Sequence, residues 1–197
     1  MKASRQAIVA AALLLSAFTA NAQVASRSDA APPGIVPLTS LIATVAKNTG
    51  RKFVLDPRVR APVMLVGEDP SSVTYDQLLT ILDTYGFTAV ETGGYVQVVP
   101  DAMARSEPLP LISDKDKRPD GEYVTAVLHV KSLPAAWFVP ILRPMLPQQG
   151  HLAAVVCANT LVIVDRFANV RRIESIVKAM DTGAPIKPPK CSCPTPQ

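Results

Sequence analysis

One stretch limits this chain more than any other. Between Asp101 and Glu122 the sequence has no apolar period, carries Pro108, Pro110 and Pro119, and gathers the charges Asp114-Lys115-Asp116-Lys117-Arg118. Such a segment offers no continuous face to a hydrophobic core, so it reads as a linker and a domain boundary. Folding is therefore expected on either side of it, in two pieces of roughly 60 residues each, close to the lower size limit for a self-sufficient core.

Both pieces alternate helix-period and strand-period apolar residues. In residues 35–100, Ile35-Val36 is a short strand. Leu38, Leu41, Ile42, Val45 and Ala46 then follow the i, i+3, i+4, i+7, i+8 spacing of an amphipathic helix stopped near Gly50. Strands are expected at Lys52 to Leu55 and Pro62 to Val66. Thr74 with Gln77 three residues on is a capping box, and Tyr75, Leu78, Leu79 and Leu82 form the apolar face of the helix it opens. Gly86 ends that helix. Phe87 to Val90 and Tyr95 to Val99 are strands joined at Thr92-Gly93-Gly94, which is hairpin chemistry. The order is β-α-β-β-α-β-β.

In residues 123–181 the expected order is β-α-β-β-α. Val124 to Val130 is a strand, and Leu133 to Leu146 a helix bent or shortened by Pro140 and Pro144. Leu152 to Val156 and Leu161 to Val164 are strands meeting at Ala158-Asn159. Asp165 is the expected cap of a last helix with Val170, Ile173, Ile176, Val177 and Met180 inward. The fold class is α+β: two small mixed α/β-sandwich domains, the second KH-like in order. The two pieces share no sequence repeat. Residues 182–197 (TGAPIKPPKCSCPTPQ) form a proline-rich, mostly extended tail.

The N-terminus has the grammar of an export signal. Lys2 and Arg5 precede the apolar run Ala7 to Ala17, which is too short to span a bilayer, and Ala20-Asn21-Ala22 places small residues before a cleavage point between Ala22 and Gln23. Residues 1–22 are thus expected to be a signal peptide. No second apolar run reaches spanning length, so no membrane span is expected in the mature chain. Lys2 and Arg5 account for half of the formal charge of +4, and the remainder shows no basic stripe. Nucleic acid is not an expected partner. The KH-like order does not change this, because the second piece has neither a GXXG loop nor a basic groove.

The residues give no constellation for catalysis. There are two histidines: His129 lies within a strand and His151 opens one, and no spacing ties either to a nucleophile or carboxylate. No metal-ligand spacing, phosphate-cradling glycine loop or nucleophile elbow occurs, so neither enzyme activity nor a cofactor is expected. Trp137 and Phe138 read as core. Cys157, in an apolar run, reads as a small core residue. Cys191 and Cys193 read as disulfide-forming or modified thiols: their mutual pairing would close a tight ring, and three cysteines leave one over.

The segments GIVPLTSLIATVAKNTGRKFVLDPRVRAPVMLV, SSVTYDQLLTILDTYGFTAV and GGYVQVVPDA resemble the secretin and TonB short N-terminal domain, with AKNTGRKFVLDPRVR the most telling. The second piece is similar to the NolW-like secretin domain, carried by VPILRPMLPQQGHLAA and NTLVIVDRFANVRRI. Both resemble the outer-membrane channel protein of type II secretion, across nearly all of residues 35–181. The resemblance implies a periplasmic protein-binding module whose partners are secretion-machine proteins, an inner-membrane component or a secretin. No counterpart of the family's pore-forming barrel follows, so docking onto a channel is expected rather than forming one. In the family these domains stack in rings, which makes a homo-oligomer one expectation and a monomer the other.

By analogy, sheet edges at Ile35 and Val36 and at Val63, Met64 and Leu65 are the candidate partner-binding residues; buried core strands are the other reading of the same residues. A TonB-receptor-like signalling role is the alternative function, weakened by the NolW-like piece, and a truncated secretin without function is a further one.

Overall fold

The computed structural model describes residues 34–113 and 115–188. The expected signal peptide with its cleavage point at Ala22 and Gln23, and the tail cysteines Cys191 and Cys193, lie outside the described residues.

The first half contains β1 (Ile35–Pro37), α1 (Leu38–Thr49), β2 (Phe53–Leu55), β3 (Pro62–Met64), α2 (Tyr75–Thr84), β4 (Phe87–Thr92) and β5 (Tyr95–Pro100). The apolar stripes do what their spacing requires. Leu38, Leu41, Ile42 and Val45 of α1 and Tyr75, Leu78, Leu79 and Leu82 of α2 are buried together against Ala89, Val96 and Val98 of the sheet. Gly50, at φ 70°, supplies the left-handed turn that stops α1. Both bonds of the Thr74/Gln77 capping box are present at the start of α2. Gly93 and Gly94 have φ of 60° and 80°, the pair of positive values a two-residue type I′ hairpin needs. The strands form two small sheets: β1-β3, and β2-β5-β4 with β2 parallel to β5.

The second half contains β6 (Leu111–Ile112), β7 (Tyr123–His129), α3 (Ala135–Leu142), β8 (His151–Val155), β9 (Thr160–Arg166) and α4 (Phe167–Met180). Its sheet runs β6-β7-β9-β8. Period-2 alternation turns Val124, Ala126, Leu128, Leu161 and Ile163 to one face, where Phe138 and Leu142 of α3 and Val170, Ile173 and Val177 of α4 cover them.

Several expectations needed correction here. The stretch read as a linker without an apolar period holds a 3₁₀ turn, Asp101–Ser106, and the strand β6, which pairs in parallel with β7. Two residues are too few to show a period. The helix expected over 133–146 is only Ala135–Leu142, with Pro140 carried inside it, and is followed by a 3₁₀ turn over Arg143–Met145, where Pro144 has no N–H to continue the α-helical ladder. Trp137 is exposed, while Phe138 is buried. Cys157 is not core: it sits exposed in the 3₁₀ turn Val156–Ala158 and is disulfide-bonded. Asp165 does not cap α4. Arg166 is the N-cap, without a side-chain bond, and Asp165 instead accepts from the Arg166 N–H (2.7 Å) and the Asn169 amide. Met180 is exposed rather than inward.

The two cores touch. Arg166, at the end of β9, pairs with Asp83 of α2 and lies over the Tyr123 ring at 4.8 Å. Gln149 donates to Asp101 at 3.4 Å. A Cβ on Gly121 would stand 2.8 Å from Cβ of Leu79, so the chain entering β7 lies directly against α2.

Candidate interaction edge

The residues singled out for partner binding meet in one place. β1 pairs antiparallel with β3, with Ile35 opposite Met64, Val36 opposite Val63 and Pro37 opposite Pro62. The Leu65 N–H donates to the Gly34 carbonyl (3.3 Å) and the Leu38 N–H to the Ala61 carbonyl (2.9 Å). Antiparallel pairs alternate between bonded and non-bonded, so the bonded pair between these two is Val36 with Val63. Ile35 and Met64 then form a non-bonded pair, and their backbone groups point outward, away from the partner strand.

The two outer edges are not equivalent. On β3, the Met64 N–H is taken up by the Tyr85 hydroxyl at 3.1 Å, and Pro62 has no N–H. On β1, the Ile35 N–H and C=O face outward, and the sheet ends there among the described residues. Pro37 closes the strand and leads into α1, so the free edge is short. A short edge with one donor and one acceptor can add a strand by a single pair of backbone bonds, yet is too short to template aggregation.

Beside this edge lies an open groove of about 430 Å³ lined by Ile35, Pro37, Leu38, Arg60, Ala61 and Pro62. Its walls are mainly apolar, with Arg60 as the one charge among these six. Val63 is buried and anchors the ribbon to the core, Ile35, Val36 and Leu65 are half-buried, and Met64 is 63% exposed. Edge and core are therefore both present in the same ribbon, residue by residue.

Elsewhere the polar groups serve structure. His129 bonds through Nδ1 to the Thr160 hydroxyl at 2.9 Å, and His151 is exposed at the start of β8. Among the described residues no group of three or more His, Cys, Asp or Glu is placed to hold a metal ion, and no helix is long and apolar enough to cross a membrane. Sequence reasoning missed Trp137 and Ile141, exposed one turn apart on α3, and the groove residue Arg60. Arg60 had no sequence signal, because its place depends on how the β3 ribbon folds back on α1.

Comparison with known proteins agrees with this architecture. Residues 36–98 match the family described as GspD-like, N0 domain. Secretin XcpQ of Pseudomonas aeruginosa is 37% identical over 146 residues, covering 73% of this chain and 21% of that protein. Secretin GspD of Vibrio cholerae is 27% identical over 149 residues, covering 73% of this chain and 22% of that protein. A chain of the Klebsiella pneumoniae type II secretion system outer membrane complex has the same fold, with a TM-score of 0.64 at 24% identity over 77% of this chain and 27% of that one. This chain thus spans about one fifth of the length of the curated relatives it matches. It carries a GspD-like N0 domain and is homologous, over nearly three quarters of its length, to the N-terminal region of the type II secretins.

Proposed function

We propose that this chain is a periplasmic protein-binding module of a type II secretion channel, or an accessory to one, and that it takes an extended segment of a secretion-machine protein along β1. The observation that carries the reading is the outward N–H and C=O of Ile35 beside the apolar groove. Main-chain bonds give such an edge affinity, and the groove gives it selectivity for apolar side chains on alternate residues of the incoming strand. In the Klebsiella pneumoniae complex, PulD is found with PulS and the PulC HR domain. An inner-membrane component of the secretion machine, as the family resemblance implies, is the partner proposed here, with a secretin as the second candidate. The export signal expected over residues 1–22 supports the periplasmic placement, and the NolW-like reading of the second half supports a secretion role over receptor signalling. The role is one of structure and docking, not catalysis.

The test is cross-linking and pull-down with the purified chain from envelope extracts of a secreting strain, alongside Ile35→Pro. Proline removes the one outward donor of β1 and leaves the buried Val63 and Leu38 in place. Capture of a secretion-machine protein is expected, reduced at least about tenfold in the variant, which corresponds to about 1.4 kcal/mol. Unchanged thermal unfolding should show that the variant is folded. Capture of no secretion protein, or equal capture by a folded variant, would sink the reading.

A further inference from the structure

The two outer edges of the β1-β3 ribbon carry the same backbone groups and differ by one side chain. Ile35 and Met64 face each other as a non-bonded pair, so the N–H and C=O of each point away from the ribbon on opposite sides. Each edge also has an apolar groove beside it. The groove along β3 holds about 290 Å³, and its lining includes Met64, Leu65, Val66, Val73 and Ile81, of which Met64 and Val66 are exposed. Strand groups beside such a groove can accept another strand.

Tyr85 breaks the equivalence. It follows α2 directly, and its N–H donates to the carbonyls of Ile81 (3.2 Å) and Leu82 (3.1 Å). Its ring packs against the first core, and the next residue, Gly86, turns the chain away at φ 76°. Backbone and ring are thus both held, and the hydroxyl oxygen stands as acceptor 3.1 Å from the Met64 nitrogen. An incoming strand would have to place its carbonyl oxygen at the same point, about 2.9 Å from that nitrogen. The Met64 carbonyl still points outward, but an acceptor without its donor cannot close the pair of bonds that holds a strand. β1 has no such cover: the Ile35 N–H donates to nothing among the described residues.

We propose that Tyr85 makes the ribbon one-sided: its hydroxyl closes β3 to strand addition, and the strand it excludes is β1 of a second copy. The donor and acceptor of Ile35 answer the donor and acceptor of Met64, so an uncovered β3 in one copy would pair with the free β1 of the next. That contact is head-to-tail and leaves an open edge at each end, so it repeats from copy to copy. With β3 covered, the ribbon takes one strand along β1 and stops. The proposal rests on the reading of β1 as a strand-accepting edge, but its test needs no secretion partner.

The test is Tyr85→Phe in the full chain, which keeps the ring and removes the hydroxyl. Amide hydrogen exchange at Met64, read by NMR, should be at least about fivefold faster than in the parent, the net worth of one lost hydrogen bond. Sedimentation velocity up to about 1 mM, a range that reaches weak single-strand contacts, should show self-association at least about tenfold tighter than any in the parent. Adding Ile35→Pro to Tyr85→Phe should return sedimentation to that of the parent, because the outward donor of β1 is then gone. Unchanged exchange at Met64 would show that the hydroxyl does not hold that N–H. Equal sedimentation of Tyr85→Phe and parent would overturn the guard, and tighter association that survives Ile35→Pro would overturn β1 as the excluded strand. Each of these results leaves docking along β1 to its own test, capture by the parent against Ile35→Pro.

Discussion

Asn159 shows how much one residue can carry. It is the one non-glycine residue with positive φ (46°) among the described residues, and its side chain is buried. Its amide oxygen accepts from the Ala135 N–H (2.7 Å), and its nitrogen donates to the carbonyls of Val130 (2.6 Å) and Leu133 (3.0 Å). It therefore caps α3, which has no side-chain cap of its own, from across the sheet. Asn159→Ala should cost about 3 kcal/mol in urea unfolding, since it leaves buried polar groups unpaired and puts a Cβ without local bonding in the left-handed region. Asn159→Gly relieves the backbone and should fall between the two.

Asp165 is buried, and desolvation pushes its carboxyl up from the ordinary 3.8, against the Asn169 and Arg166 hydrogen bonds and the Arg166 and Arg172 charges. A raised folded pKa means the folded state holds its proton longer than the unfolded one. Stability should then fall as pH rises from 3.8 through the raised value, and the penalty should be absent at lower pH. Glu122, raised by the same burial against the nearby Arg118, acts in the same direction. Urea midpoints measured across this window should show a flatter slope for Asp165→Asn than for the parent; an unchanged slope would show that Asp165 is not responsible.

At the scale of elements, α2 is the best specified. Its cap, its apolar stripe and its glycine stop agree, and four of its ten residues are buried. Thr74→Ala should cost about 1 kcal/mol, read from thermal or chemical unfolding, because the Gln77 N–H loses the Thr74 hydroxyl that accepts it, while the Thr74 N–H keeps its bond to the Gln77 side chain. The helix α3 is the opposite case. Its eight residues, AAWFVPIL, are apolar all round, so no phase distinguishes the buried Phe138 and Leu142 from the exposed Trp137 and Ile141. The run LAAVVCA before β9 fails in the same way: continuous apolarity reads as buried strand, and the 3₁₀ turn that lifts Cys157 to the surface leaves no mark in it.

At the scale of the molecule, two small cores support each other. Each is near the size at which a single core is marginal, so their contact adds stability that neither has alone. Gly121 is where the approach is tightest. Gly121→Ala should push against Leu79, cost about 1–3 kcal/mol, and split the calorimetric transition into two. A single unshifted transition would show that the contact contributes little.

Period and punctuation in the sequence determined most of the architecture: the helix faces of α1 and α2, the capping box, the hairpin glycines and the strand alternation of β7 and β9 are local properties of a 3.6- or 2-residue repeat. Those same local signals marked Ile35, Val36, Val63, Met64 and Leu65 as strand without saying which groups would be left over. Only the tertiary structure decided that, because an edge is defined by what fails to pair. Register turned the Ile35 backbone outward, Tyr85 covered Met64, and folding brought Arg60 to the groove and the chain after α4 against Lys131 and Ser132. Each of these depends on distances between residues far apart in sequence, which no local pattern encodes.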